Sequence, residues 1–291
     1  MNSDLPIVSV VIATKNEEKN IENCLKSVLH QSYDCDRVEI IVVDNNSIDK
    51  TREIAQRYTS KVFNLAKEVD LDEVKNFRGA QLNFGVDRTS GEIIFFPDAD
   101  MTFDKDLITD AVGKLNEVDA LFIPEVICGK GFFGKVRNFE RSFYDGTCID
   151  AVRVVKKRVF TKVGGFDIRN IMFGPDDWDF TKTLKKNDFK LEIAEKPLFH
   201  HEEWMTWKIY LEKKKKYINT FDGYVRKWGQ GDLDIKKQLG FYYRFFGVFI
   251  ENRKWKKIIM HPILAFGMYF LRGSVGLRYL ITKFKKNKHE K

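Results

Sequence analysis

A short apolar run that stops abruptly at two carboxylates constrains this chain more than any other feature. Glu92-Ile93-Ile94-Phe95-Phe96 leads into Pro97-Asp98-Ala99-Asp100. Ile93 to Phe96 reads as a buried strand. Pro97 has no N–H for a ladder and is a natural stop. Asp98 and Asp100 then stand at the strand's C-terminal end, the edge at which open α/β sheets bind ligands. Carboxylates this close repel unless a cation or hydrogen bonds hold them. Hard oxygen donors suit Mg²⁺ or Mn²⁺, ions that commonly also hold substrate phosphates. The competing reading is an acidic turn capping a helix that begins near Asp104, and the rest of the chain must decide between them.

The preceding residues alternate strand with helix. Val8 to Ala13 and Val38 to Val43 are β-branched runs, and Val62-Phe63 reads as a third short strand. Ile21, Leu25, Val28 and Leu29 recur at helical spacing, as do residues of Asp49–Tyr58 and of 75–88. Such alternation predicts a parallel, doubly wound sheet. Right-handed crossovers would bring three polar turns, Thr14 to Glu17, Asp44 to Asn46 and Asp98 to Asp100, to one edge. No GxGxxG and no GxxxxGK[ST] is present, which argues against a dinucleotide fingerprint and a P-loop. Further on, Leu107 to Leu115 and Val136 to Phe143 read as helices. Ala120–Val126, Val152–Val155 and Phe189–Ile193 read as strands, the last at a sheet edge.

These motifs, taken in order, resemble family 2 glycosyltransferases of the GT-A fold, an α/β fold with a Rossmann-like, mostly parallel sheet flanked by helices. The carrying residues are Val10 to Glu17, Ile41 to Ser47, Asn83-Phe84-Gly85, Gly91 to Asp100, Gly164-Gly165-Phe166-Asp167 and Asp176-Asp177-Trp178-Asp179, spread over roughly residues 6 to 203. The resemblance implies transfer of a sugar from a UDP- or GDP-sugar, with inversion at the anomeric carbon. By match, Ala13, Thr14, Asn16, Glu17, Asp44 and Asn46 would hold the nucleotide, and Arg78 would approach the base or diphosphate. Asp98 would meet the ribose and, with Asp100, the Mn²⁺ or Mg²⁺ ion. Asp177 would be the general base. The family more often has Glu-Asp where this chain has Asp176-Asp177, which leaves the role of Asp176 less defined. His200, or its neighbour His201, would complete the metal ligands.

The chemistry agrees with that division. A sugar hydroxyl is a poor nucleophile, so a carboxylate must take its proton as attack begins. The leaving nucleoside diphosphate gathers negative charge that a metal neutralises. Simpler roles compete at each position. Asp44 could cap the next helix, Asp176 and Asp177 could be first-turn acids favoured by the helix dipole, and Arg78 and His200 could be surface groups.

The charge is divided. Residues 206–291 carry 21 Lys/Arg against 6 Asp/Glu, whereas residues 1–205 carry 29 against 36. The boundary divides a catalytic domain, 1–205, from a helical basic region, 206–291. That region is rich in Trp and Tyr, and its apolar run Ile258–Ile281 is interrupted by His261, Pro262, Arg272 and Arg278 before Lys283-Phe284-Lys285-Lys286. Arg272 would be costly at the centre of a spanning helix. A helix lying at the interface of an anionic membrane fits better, and a solvated subdomain packed on the catalytic part is the alternative. Nothing in the first 205 residues supports nucleic-acid binding. Four scattered cysteines and a polar start at Met1 to Asp4 point to a reduced, cytoplasmic setting without a secretory signal. The expectation is a peripheral or monotopic enzyme at the cytoplasmic membrane face, acting on a saccharide or lipid-linked saccharide. The alternatives are a polyprenyl-phosphate glycosyltransferase and a non-catalytic sugar-nucleotide scaffold.

Overall fold

The computed structural model describes residues 5–72, 74–217 and 220–289. The start Met1 to Asp4 and the side chains of Lys283 to Lys286 lie outside what it describes. Ten strands, β1 (Val8–Thr14), β2 (Val38–Asp44), β3 (Val62–Asn64), β4 (Ile93–Phe95), β5 (Met101–Phe103), β6 (Ala120–Phe122), β7 (Glu125–Cys128), β8 (Val152–Lys156), β9 (Leu191–Ile193) and β10 (Leu198–His201), form two sheets. The larger runs β3-β2-β1-β4-β8-β6-β9. It is parallel except at β8, which is antiparallel to both β4 and β6. The smaller runs β5-β10-β7.

The apolar runs make this sheet because both of its faces are covered. Along β1, Val8, Val10 and Ile12 point into one core with Ile21, Leu25 and Val28 of the helix Ile21–Leu29. Val11 points into the other, with Leu82 and Phe84 of the helix Phe77–Val86. With a core on each side, the period-2 alternation of β1 carries apolar residues on both faces, Ser9 and the terminal Thr14 excepted. Gly85 lets that second helix come close, since a Cβ there would collide with Val11 Cγ1 and sit 3.2 Å from Val43 Cγ2.

The run expected as one strand, Ala120–Val126, is two strands in different sheets. Pro124 breaks it: without an N–H it cannot continue the β6 ladder, and the chain re-enters as β7 beside β10. The expected edge strand at 189–193 is β9, at the end of the large sheet.

The C-terminal apolar run also divides, into helices Trp255–Met260 and Pro262–His289. His261 has φ −132° and ψ 62°, outside the helical region that a residue before proline disfavours. The long helix packs on the helix Gly131–Arg141. Contact is close at Gly267, where a Cβ would meet Val136 Cγ2 at 2.6 Å. Ala265, Met268 and Leu271 join Val136, Phe139, Phe143 and Phe249 in a separate core. Arg272 is not aimed at a bilayer. It is 6% exposed and its Nε lies 3.1 Å from Glu140 of the Gly131–Arg141 helix.

Candidate active site

Three strand ends meet at one edge of the large sheet. Thr14 is in register with Asp44, and Ala13 forms a parallel bridge with Asp98. The first two turns are stitched together. Asp44 is fully buried and accepts hydrogen bonds from Thr14 Oγ1 at 3.2 Å, Ser47 N at 2.7 Å and the Ser47 hydroxyl. Asn16 donates its N–H to Ser47 Oγ at 2.7 Å and accepts from Ile48 N at 3.0 Å. Asn16 and Asn46 both have positive φ, 57° and 54°, a region that Asn tolerates well. Gln81, which the sequence did not single out, donates to the carbonyls of Thr14 and Val43 and so ties the ends of β1 and β2. Glu17 accepts from Asn20 Nδ2 at 2.8 Å. Burial raises its pKa, and the Asp100 and Asp98 charges add to that.

Arg78 joins the two acidic clusters. Its Nε donates to Asp98 Oδ1 at 3.1 Å, and one terminal nitrogen donates to Asp177 Oδ1 at 2.9 Å and Asp176 Oδ2 at 3.3 Å. Asp176 and Asp177 open the helix Asp176–Lys186, where the helix dipole favours acids. Asp176 is buried and also accepts from Gly174 N at 2.8 Å. Burial and the adjacent Asp177 charge push its pKa up against the pull of Arg78.

The sequence reading missed a second guanidinium, Arg153 on the antiparallel strand β8. It lies 3.2 Å from Asp98 Oδ2 and donates to Glu125 Oε1 at 3.0 Å. Arg141 donates to the other Glu125 oxygen at 3.1 Å and to Asp150 Oδ1 at 2.8 Å. Burial works against charge at Asp98, but Arg153 and Arg78 outweigh it and hold this carboxyl well below the usual range. Glu125 is likewise held low, by Arg141 and Arg153 against its burial. The signal that was available is an arginine inside an apolar strand run, which is tolerated only when paired.

His200 points inward, its Nε2 3.2 Å from Asp100 Oδ2. Its buried Nδ1 has no hydrogen-bond partner and lies 3.8 Å from Glu125 Oε2. Burial opposes charging, yet Asp100 and Glu125 raise its pKa to about 10. His201 turns the other way, to Thr102 Oγ1 at 2.9 Å and Glu203 at 3.1 Å. Among the described residues no three His, Cys, Asp or Glu side chains form a ready-made metal cluster. Asp100 and His200 nevertheless set an oxygen and a nitrogen side by side, which fits a divalent cation that displaces the Nε2 proton. The two Asp98 oxygens are engaged by guanidiniums.

Two cavities flank this centre. One, of about 180 Å³, is lined by Glu125, Arg141, Asp150, Arg153, Asp177 and Trp178. The other, of about 240 Å³, lies on the far side of Asp100, against Asn20, Asn23, Thr102, His201 and Glu203.

A mostly parallel sheet with one reversed strand, and acidic turns gathered at its C-terminal edge, defines the GT-A class of α/β proteins. The chain belongs to glycosyl transferase family 2, whose model matches residues 9–170. It is similar to the probable glycosyltransferase YdaM of Bacillus subtilis, 27% identical over 92% of this chain and 63% of that one. It is similar also to the beta-monoglucosyldiacylglycerol synthase of a Nostoc species, 26% identical over 82% and 54%. The chain spans between 31% and 63% of the length of the first curated relatives it matches. Among solved structures, the mannosyltransferase PcManGT of Pyrobaculum calidifontis, in complex with GDP-Man and Mn²⁺, superposes with a TM-score of 0.61 at 20% identity. That match covers 99% of this chain and 89% of the other.

Proposed function

We propose that this chain transfers a sugar, with inversion, from a UDP- or GDP-sugar to an acceptor hydroxyl. The observation that carries the reading is the Arg78 bridge, which sets Asp98 and Asp177 on either side of one guanidinium. A donor lying along the sheet edge would have its nucleotide against the Ala13–Glu17 and Asp44–Asn46 turns and its diphosphate near Arg78. Asp177 then takes the acceptor proton as the hydroxyl attacks the anomeric carbon and the bond to the nucleoside diphosphate breaks. Asp100 and His200 would hold a Mn²⁺ or Mg²⁺ ion, joined by Asp98 once a guanidinium gives up one of its oxygens, and the ion when bound would neutralise charge on the leaving diphosphate. Asp176, buried behind Arg78, helps to fix that guanidinium.

The acceptor in this reading is a lipid-linked saccharide or glycolipid met at an anionic membrane. Among the described residues no helix is long and apolar enough to cross a bilayer. The long C-terminal helix does, however, leave an apolar strip uncovered. Ile263, Phe266, Phe270 and Leu277 recur at spacings of three, four and seven, with Phe266 75% and Phe270 60% exposed. Residues 251–291 carry 11 Lys/Arg against 2 Asp/Glu, so an apolar face and a basic surround coincide. The strip supports flat attachment, and a basic aromatic surface of this kind suits phosphatidylglycerol better than a neutral lipid.

Two measurements test this. Hydrolysis of UDP- and GDP-sugars with and without Mn²⁺ should show metal-stimulated release of the nucleoside diphosphate, and no release from any donor would sink the transferase reading. Co-sedimentation with phosphatidylglycerol vesicles should be lost in the double variant Phe266→Ser/Phe270→Ser with hydrolysis unchanged. Equal binding of the variant, or a dimer that dissociates on making it, would remove the membrane part.

A further inference from the structure

Asp98 and Asp100 point at different partners, yet a single chain of contacts joins them. It runs from Asp98 to Arg153, from Arg153 to Glu125, from Glu125 across 3.8 Å to the buried Nδ1 of His200, and from His200 Nε2 to Asp100. The sheets explain why it closes. Leu198 of β10 is in register with Glu125 of β7, and His200 with Ile127. Residues two apart on a strand share a face, so Glu125 and His200 are diagonal neighbours. Arg153 reaches Glu125 from the other sheet, where Phe96 N donates to its carbonyl at 2.8 Å. Both Glu125 oxygens are already fixed by guanidiniums, Oε2 by Arg141 and Oε1 by Arg153. The carboxylate is therefore held in place, and among the described residues the unsatisfied buried polar atom beside it is Nδ1 of His200, 3.8 Å from Oε2.

We propose that Glu125 is the positioning residue of the divalent-cation site. When a cation takes the place of the Nε2 proton, a small turn of the imidazole closes the 3.8 Å gap, so that Glu125 accepts a hydrogen bond from Nδ1–H and fixes the tautomer whose Nε2 lone pair faces the Asp100 side. This rests on the cation reading above. A histidine that ligates a metal commonly hands its other N–H to a carboxylate, and removing that partner typically weakens metal binding about 10- to 100-fold. The cost of burying Glu125 is met by two arginines, so its place beside Nδ1 is not needed to neutralise it.

The test is direct titration of the intact protein with Co²⁺ and with Mg²⁺, free of substrate, by calorimetry and by the visible spectrum of bound Co²⁺. Imidazole favours the transition metal, whereas Mg²⁺ is held by oxygens. Glu125→Gln should weaken Co²⁺ about 10- to 100-fold and alter its spectrum, with Mg²⁺ changed less than about twofold. His200→Ala should do the same, and adding Glu125→Gln to it should cost nothing more. Glu125→Asp keeps the charge for both arginines and withdraws it from Nδ1, and serves if the amide variant does not fold. Parallel losses of Co²⁺ and Mg²⁺ would show a merely structural role and overturn the proposal, as would a Glu125→Gln protein that binds Co²⁺ like the parent. A parent that binds neither ion removes the cation site itself.

Discussion

Two buried ionic networks in this molecule look alike and differ in charge balance and in access to a cavity. The first holds Asp98, Asp176, Asp177 and Glu125 around Arg78 and Arg153. The second holds Glu140 and Glu202 around Arg137 and Arg272, with Tyr144 donating to Glu140 at 2.8 Å. The second is buried where the helices Gly131–Arg141 and Pro262–His289 meet the chain that follows β10, and the charges of these four groups balance. The first has more carboxylates than guanidiniums and opens through Asp177 and Arg153 onto a cavity. Excess negative charge at a cavity is unfavourable for an isolated fold and useful for one that receives a cation and transfers a proton. A balanced, closed network has nothing to receive and can only hold helices together.

The largest effect should come from the open network. Asp177→Asn removes a group of the right reach to take the acceptor proton while keeping its shape. It should lower kcat for sugar transfer by about 10²- to 10⁴-fold and leave melting nearly unchanged, since Asp98 and Asp176 remain on Arg78. Steady-state kinetics beside a melting curve would show it. Retention of most activity would point to an acceptor that is already an anion, the polyprenyl-phosphate alternative.

The closed network should answer in the opposite way. Arg272→Ala leaves Arg137 as the ion-pair partner of Glu140, and breaking a buried pair costs about 3–5 kcal/mol. A melting shift on the order of 10 °C should follow, with donor hydrolysis per folded molecule intact. Glu140 supplies the matching pH dependence. Burial alone would raise its pKa, but Arg272 and Arg137 hold it down at about 2. A carboxyl depressed in the folded state stabilises above its unfolded value near 4.5, and that stability is lost as pH falls from about 4.5 toward 2. The depression corresponds to roughly 3 kcal/mol. Acid unfolding followed by circular dichroism should therefore be steep over that window in the parent and flatter in Glu140→Gln. Equal slopes would mean that Glu140 does not titrate with folding.

The unequal legibility of the two networks in the sequence has a physical cause. Asp98, Asp100 and Asp44 were readable because each ends a β-branched or apolar run, and a parallel sheet must deliver such ends to one edge. Asp177 was readable from the glycine-bearing turns before it. Arg153 and Glu125 were not, because their meeting depends on β8 running backwards and on Pro124 moving the chain between sheets. Neither event leaves a periodic trace. His200 was singled out, but only the pairing of β10 with β5 and β7 distinguishes it from His201. The closed network was hidden for a related reason. Arg272 read as an obstacle to membrane insertion, because its partner Glu140 lies far away in sequence.

The smallest of these effects is also the finest probe of the contrast. Gly267 sits where the long helix approaches the helix Gly131–Arg141. Alanine there gains about 0.8–1.0 kcal/mol of helix propensity. Its Cβ would meet Val136 Cγ2 at 2.6 Å and the Phe132 ring at 3.1 Å. Phe132 is 53% exposed and can swing away, but Val136 is 2% exposed and packed in the core. Overpacking of that kind costs about 1–3 kcal/mol, so Gly267→Ala should be net destabilising, by roughly 1 kcal/mol. Because it pushes the helix that carries Arg272 away from Glu140, its effect should shrink in an Arg272→Ala background, as coupled neighbours do. It should stay fully additive with Asp177→Asn. If the glycine variant instead lowered sugar transfer and coupled to Asp177, the two networks would be one mechanical unit and the separation drawn between them would not hold.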